Sequence, residues 1–260
     1  MKVLQWAWLL FLAAFFSGNV VLGADEQAKP RASIHSDRPT MTNDPFTLGK
    51  GVMQLEMGWM YREHGNGSDL DSVQAPDTLF RIGLETNWEL RLGWGGYSFV
   101  DDMDDMASDI SVGLKWYWSE QTKSMPAQGL LIGLSLPTGT ETDNDVDPSL
   151  TYAWSWDMGD DSSLSGNLGI SAPRDMITGD RFSQGLFSIA CTHTLNDNLD
   201  WFVEYYTNFP AAEDQDAEHI AQTGLSYLVN DDLAFDFTVG VGLNDQADDF
   251  VAGIGLSYRF

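Results

Sequence analysis

Cysteine is nearly absent from this sequence: Cys191 stands alone in 260 residues. That excludes an internal disulfide, and the residue reads as a small apolar filler. Cations are scarce too, with 13 Lys and Arg against 39 Asp and Glu and a formal net charge of -26. A nucleic-acid partner needs Lys and Arg to neutralise its phosphates, so none is expected. Long apolar runs are missing beyond the first residues, which excludes a bundle of membrane helices. A calcium loop is excluded as well. "DNDVD" (143–147) begins like one, but its sixth and twelfth places hold Pro148 and Trp154 where Gly and Glu are required. No cofactor or metal site is expected.

The one apolar run extends from Val3 to Phe16, behind Lys2 and ahead of Ser17, Gly18, Gly23 and Ala24. This is the three-part pattern of a secretory signal, with cleavage after Gly23 or Ala24. A retained anchor would need about 20 apolar residues. The chain therefore divides into a signal peptide (1–24), an N-terminal segment (25–50) and a main domain (51–260).

In the main domain the hydrophobic period is two. Met53, Leu55, Met57, Trp59 and Tyr61 alternate with Gln54, Glu56, Gly58 and Arg62. Phe80, Ile82 and Leu84 oppose Arg81, Gly83 and Glu85, and Trp88, Leu90, Leu92 and Trp94 oppose Glu89, Arg91, Gly93 and Gly95. Such alternation specifies strands. Further strands are expected at about 110–118, 128–136, 149–156, 163–171, 183–193, 199–207, 219–228, 233–242 and 249–260, twelve in all. Pro76, Pro126, Pro137, Pro148, Pro173 and Pro210 are expected at strand ends or in loops.

Short connections at 85–87, 158–162, 195–198 and 229–232 alternate with longer acidic ones at 64–76, 98–107, 137–147, 172–181 and 208–218. The connection at 119–127 is a long one at the short-turn end, and 244–249 is short but acidic. An even meander with unequal ends is the pattern of an antiparallel up-and-down transmembrane β-barrel in the outer membrane of a Gram-negative cell. A soluble sandwich would put many Lys and Glu on its polar face, whereas this one is rich in Gly and Ser. Trp88, Trp116, Trp118, Trp154, Trp156, Trp201, Tyr227 and Tyr258 fall towards the short-turn end, and Trp59, Tyr61, Trp94 and Tyr205 towards the other. They would form two girdles at the lipid boundaries. Closure of the first strand on the last would leave no unpaired edge in lipid. The chain ends on alternating residues with a terminal Phe, and Tyr258 and Phe260 are expected to be the signal read by the barrel-assembly machinery.

The stretches "DRPTMTNDPFTLGKGVMQLEMGWMYRE", "LFRIGLETNWELRLGWGGY", "SLPTG", "DPSLTYAWSWDMGDDSSLSGNLG", "WFVEYY" and "GVGLNDQADDFVAGIGLSYRF" together resemble the outer-membrane family labelled "putative MetA-pathway of phenol degradation". The resemblance runs from about Asp37 to Phe260. It implies a β-barrel, porin-like transport of small organic molecules such as aromatics, and no catalytic residues.

Charged positions on the inward face are Glu56, Arg62, Arg81, Glu85, Glu89, Arg91, Lys115, Asp200, Glu204, Asp236 and Arg259. Arg81 is expected to lie near Glu89 or Arg91 across the tight hairpin. These charges could select solutes at a constriction or pair as structural ion pairs, since a lone buried charge is costly. Asp37, Arg38 and Pro39 mark a stretch of the N-terminal segment that could enter the lumen, with Arg38 reaching a carboxylate such as Glu56; the alternative is a periplasmic tail. The loop acids Asp101, Asp102, Asp104, Asp105, Glu213, Asp214, Asp216 and Glu218 are expected outside. They could bridge to lipopolysaccharide through divalent cations. An enzyme would need an outward Ser–His pair with an orienting third group. Of His35, His64, His193 and His219, only His193 with Ser163 or Ser165 is conceivable, and no motif supports it, so no enzyme is expected. Two functions remain open: passive passage of a small-molecule solute, or a closed structural or adhesion barrel working through its acidic loops. The oligomeric state is left open.

Overall fold

Alternating side chains build fourteen strand segments in the computed structural model, which describes residues 33–64, 71–100, 104–140, 145–159, 161–174, 181–210 and 215–260. The expected signal peptide, Asp101, Asp102, Glu213 and Asp214 lie outside the described residues. The segments are β1 (Met53–Glu63), β2 (Ser72–Glu85), β3 (Trp88–Trp94), β4 (Tyr97–Val100), β5 (Met106–Ala107), β6 (Ile110–Ser119) and β7 (Ala127–Leu136). Then come β8 (Asp147–Gly159), β9 (Ser162–Ser171), β10 (Gln184–Asn196), β11 (Leu199–Phe209), β12 (Glu218–Asn230), β13 (Leu233–Gly242) and β14 (Phe250–Arg259).

Every pairing is antiparallel, and β1 pairs with both β2 and β14, the latter from Gln54↔Arg259 to Glu63↔Phe250. The sheet therefore closes on itself, so no row of backbone N–H and C=O groups is left facing hydrocarbon. β2 pairs with β3 along its second half and with β4 along its first. β5 pairs with β4 as β6 pairs with β3. β3 with β4, and β5 with β6, are thus two interrupted staves, and the barrel has twelve.

Two expectations need correction here. The stretch 98–107 is not all loop, because β2 begins at Ser72 and its added length is paired by β4 and β5. The stave breaks at Gly96, whose φ is 77° and where a Cβ would lie 2.4 Å from the Pro76 carbonyl. Pro76 lies inside β2 and not at its end, while Pro148 is the second residue of β8. Pro76 sits where the β1–β2 register shifts between Gly58 and Met60, so no ladder N–H is lost. Pro148 pairs with Leu134 on β7, but β8 meets β9 only from Ser149 onwards.

Burial is inverted relative to a water-soluble protein. Gln54, Glu56, Arg81, Glu89, Lys115, Asn167 and Ser188 are at most 1% exposed. Leu92, Leu114, Ile132, Leu150, Leu168, Ile170, Phe237 and Ile254 stand exposed on the outer face. Charges inside and apolar side chains outside is the arrangement lipid demands. Trp88 and Trp116 stack at 5.4 Å, and Trp118 follows Trp116 at the same separation, building the girdle at the short-turn end. At the other end Tyr205 stacks on His219 and its hydroxyl meets Nδ1 at 2.7 Å. Phe260 donates its N–H to the Met53 carbonyl at 2.9 Å and packs its ring on Tyr258 and Phe80.

Leu114→Arg puts a cation on the lipid face and is expected to destabilise the barrel by about 2–4 kcal/mol, measured by denaturant unfolding in bilayers. A gain in solubility without stability loss would indicate a water-facing surface instead.

Candidate functional site

The lumen is occupied. Residues 33–50 enter at the short-turn end, where Ile34 donates to the Asp231 carbonyl at 2.8 Å and Ser36 meets Ser257 at 2.6 Å. They cross to the opposite wall and return to join β1. Their bonds run around the barrel. Met41 and Thr42 donate backbone N–H groups to the Glu204 carboxylate at 3.0 and 2.6 Å. Thr42 Oγ1 reaches Ser188 at 2.8 Å. Asn43 and Asn167 exchange bonds at 2.8 and 2.7 Å, and Leu48 donates to Glu89 at 2.9 Å.

Charge explains why the segment sits there. The cations Arg81, Arg91 and Lys115 cluster beside two wall carboxylates, Glu56 and Glu89, while Asp77, also on β2, faces Arg38 instead. Arg81 grips Glu89 with two bonds of 2.8 and 2.9 Å and Glu56 with one of 2.9 Å. Arg91 adds a contact of 3.0 Å to Glu89. The surplus positive charge falls on Asp37, which accepts from Lys115 at 3.0 and 3.1 Å and from Arg91 at 2.5 Å. The next residue answers the reverse imbalance: Arg38 binds Asp236 through two bonds of 3.2 and 3.3 Å, with Asp77 at 3.5 Å. In a water-poor lumen such reciprocal pairing is strong, and removing one partner is costly.

The wall is shaped for this segment. A Cβ on Gly58 would lie 2.2 Å from the Arg38 guanidinium, and one on Gly255 would lie 2.3 Å away. A Cβ on Gly83 would strike the Gly49 carbonyl at 2.0 Å. The small residues of the polar face therefore make room for the inserted chain, not for open water.

Arg38 does not reach Glu56. It lies in the slot over Gly58 and Gly255, and Glu56 is already held by Arg81; it is the Asp37 N–H that faces Glu56, at 3.4 Å. Pro39 lines a cavity beyond the charge cluster. Glu85 does not face the lumen. The β2–β3 register shifts between Gly83 and Glu85, and its carboxylate meets Lys50 at the rim, 58% exposed. Arg62 lies near Asp248 towards the long-loop end, Asp200 accepts from Thr194 at 2.7 Å, and Arg259 holds Asp232 at 2.8 Å near the short turns. None of these three joins the cluster. Asn167, Ser188 and Asp77 do engage the segment and were not singled out by the sequence, although inward alternation places all three.

Two cavities flank the segment. One of about 280 Å³ lies on the long-loop side, and one of about 660 Å³ opens at the short-turn mouth beside Phe46 and Tyr117. On the long-loop side Tyr206, Ile220, Ala247 and Val251 also pack together inside the wall. In the acidic loops Asp145 and Asp147 pair with Arg174 and Arg181, and Asp104, Asp105 and Asp216 are exposed.

The outward Ser–His pair exists, but not with the expected serine. The β9–β10 register sets His193 against Ser162, with Nδ1 2.9 Å from Oγ. Ser165 is turned the other way, onto Ser155. Among the described residues no third group orients His193, which acyl-transfer chemistry requires.

Comparison with known proteins agrees with this architecture. The family model described as "Putative MetA-pathway of phenol degradation" matches residues 36–260. The COG4313 outer membrane channel from Pseudomonas putida F1 superposes with a TM-score of 0.67 at 11% identity, covering 85% of this chain and 100% of that one. The NanC porin gives 0.51 at 13% identity, covering 80% and 100%. The KdgM porin gives 0.50 at 13%, covering 79% and 99%. At these identities the likeness shows the fold. No curated protein matches the chain.

Asp37→Asn removes the counter-charge of Lys115 and Arg91. It is expected to weaken docking of the segment by about 3–5 kcal/mol, seen as protease cleavage within 33–50 of the folded barrel. Acidity should act on the segment in two directions. The neighbouring Asp44 carboxylate raises the His35 imidazole above its ordinary value, against burial; the side chain is 57% exposed, so attraction governs. A raised pKa gives stabilisation that is present at low pH and fades as pH climbs through the raised value. Burial pushes the Asp37 carboxyl up, but Arg81, Lys115 and Arg91 together hold it well below the usual carboxylate range. Its contribution is thus lost only on strong acidification. Protease protection of the segment should fall as pH rises through the raised His35 value, and His35→Ala should flatten that fall.

Proposed function

This chain belongs to the family of the "Putative MetA-pathway of phenol degradation", and from that premise we propose that its barrel is a passive channel for small organic molecules across the outer membrane, closed at rest by residues 33–50. The reading rests on one observation: the lumen is filled by a separate strap of chain held through polar and ionic contacts, with Asp37 on Lys115 and Arg38 on Asp236. Such contacts can be exchanged for water. A lumen packed by the strands' own side chains would have no movable part. Nothing in the sequence couples the barrel to an energy source, so flux would follow the concentration gradient. The charged wall of Arg81, Arg91, Lys115, Glu56 and Glu89 would then line the path that the segment leaves.

A second reading is a closed barrel acting through its exposed acidic loops. The apolar cluster of Tyr206, Ile220, Ala247 and Val251 inside the wall favours it. Planar-bilayer conductance of the full chain and of a variant lacking 33–48 separates the two. The channel reading expects small, rare openings that become large and sustained on deletion. Silence of both forms towards ions and neutral solutes would leave the closed barrel.

A further inference from the structure

We infer that the barrel wall carries a binding slot for a guanidinium group, built from Asp77, Gly58, Gly255 and Asp236, which Arg38 fills at rest and which a small guanidinium solute takes over as the segment leaves. The inference rests on the channel reading and names the class of its solute.

Register builds the slot. Gly58 on β1 stands opposite Asp77 on β2 and Gly255 on β14, and Gly255 stands opposite Asp236 on β13. The four residues form one row across four neighbouring staves, with an acid at each end and two glycines between. Residues directly opposite on one face stand about 5 Å apart, so the glycines leave a flat floor between two carboxylates. The Arg38 guanidinium lies on that floor, and a Cβ on either glycine would strike it. Its Nε and Nη2 donate to the two oxygens of Asp236 at 3.2 and 3.3 Å. Nη2 also donates to the Ile254 carbonyl at 3.4 Å, and Nη1 faces Asp77 at 3.5 Å. A flat cation with donors on both edges addresses both acids at once, whereas an ammonium is a compact point charge without that fork.

The segment fills this slot incompletely. Charge-assisted N–H···O bonds settle at about 2.7–2.9 Å, and every contact of Arg38 with the two acids is longer. Asp236 is 3% exposed, but Asp77 keeps 53% of its side chain exposed. The cause is the tether. Arg38 follows Asp37, which Lys115 and Arg91 hold against another part of the wall, so its guanidinium is not free to centre itself between Asp77 and Asp236. An untethered guanidinium has no such restraint. It also has a way in. Asp77 and Arg38 both line the cavity of about 280 Å³ on the long-loop side. The exposed acids Asp104, Asp105 and Asp216, in a chain of net charge -26, favour a cation arriving at that end.

Calorimetric titration of full-length barrels in detergent tests this with two probes of equal charge, methylguanidinium and methylammonium. Arg38→Ala vacates the slot. That barrel should bind methylguanidinium at least tenfold more tightly than methylammonium, and more tightly than the wild type does, where Arg38 competes. Adding Asp236→Asn, or Gly255→Ala with its Cβ on the floor, should abolish this binding while the barrel keeps its heat-modifiable mobility on gels. In the wild type, methylguanidinium should raise protease cleavage within 33–50 and methylammonium should not; this comparison decides if the Arg38→Ala barrel does not fold. Equal binding of the two cations, no binding of either, binding that survives Gly255→Ala in a folded barrel, or cleavage indifferent to methylguanidinium would overturn the inference. Failure of the channel reading looks different: methylguanidinium would bind and loosen the segment, yet neither the full chain nor the form lacking 33–48 would conduct.

Discussion

A charge enclosed by a barrel must find an opposite charge or hydrogen-bond donors inside the barrel. Here three wall cations, Arg81, Arg91 and Lys115, cluster with two carboxylates, Glu56 and Glu89, while Asp236 and Asp77 form a second, acidic group. Residues 37 and 38, adjacent in sequence and opposite in sign, answer both. Neither group is balanced without the segment. The strap is therefore part of the fold's electrostatics and not an appendage to it, and its path is set by where the wall leaves room at Gly58, Gly83 and Gly255.

That constraint links fold to proposed function. An apolar plug would be held by burial and would leave only at the cost of exposing oil to water. An ionic strap exchanges its partners for water and counter-ions more readily, because solvation returns most of what pairing gives. On the proposed reading, the polar interior that would make the lumen passable once emptied also makes it costly to leave empty of charge partners. Closure and selectivity would then draw on one set of residues.

The barrel itself was legible in the sequence because lipid imposes a strict period. Trp88, Leu90, Leu92 and Trp94 against Glu89, Arg91 and Gly93 could satisfy neither a helix nor a polar water-facing sheet. The twelve staves follow, and Arg81 with Glu89 could be placed together across one hairpin. Local irregularity was not legible. The doubled staves at Gly95–Gly96, the position of Pro76 inside β2 and the outward turn of Glu85 all depend on register shifts, which alternation alone does not encode. The partner of Arg38 was missed for a different reason. Glu56 is a sound inward acid, but whether it is already paired depends on Arg81 from the neighbouring strand. The glycines of the wall were visible as small residues, yet their purpose appears only once the segment lies against them.

Docking of the segment can be measured without reference to transport. Thr42 Oγ1 and Ser188 Oγ lie 2.8 Å apart, close enough for a disulfide between cysteines at those positions, in a background where Cys191 is replaced by serine. Peptide mass spectrometry of the folded, oxidised barrel should find Thr42→Cys joined to Ser188→Cys in nearly all molecules. If both thiols instead stay free and react with a membrane-impermeant maleimide, the segment does not lie in the lumen, and the account built on its charges is wrong.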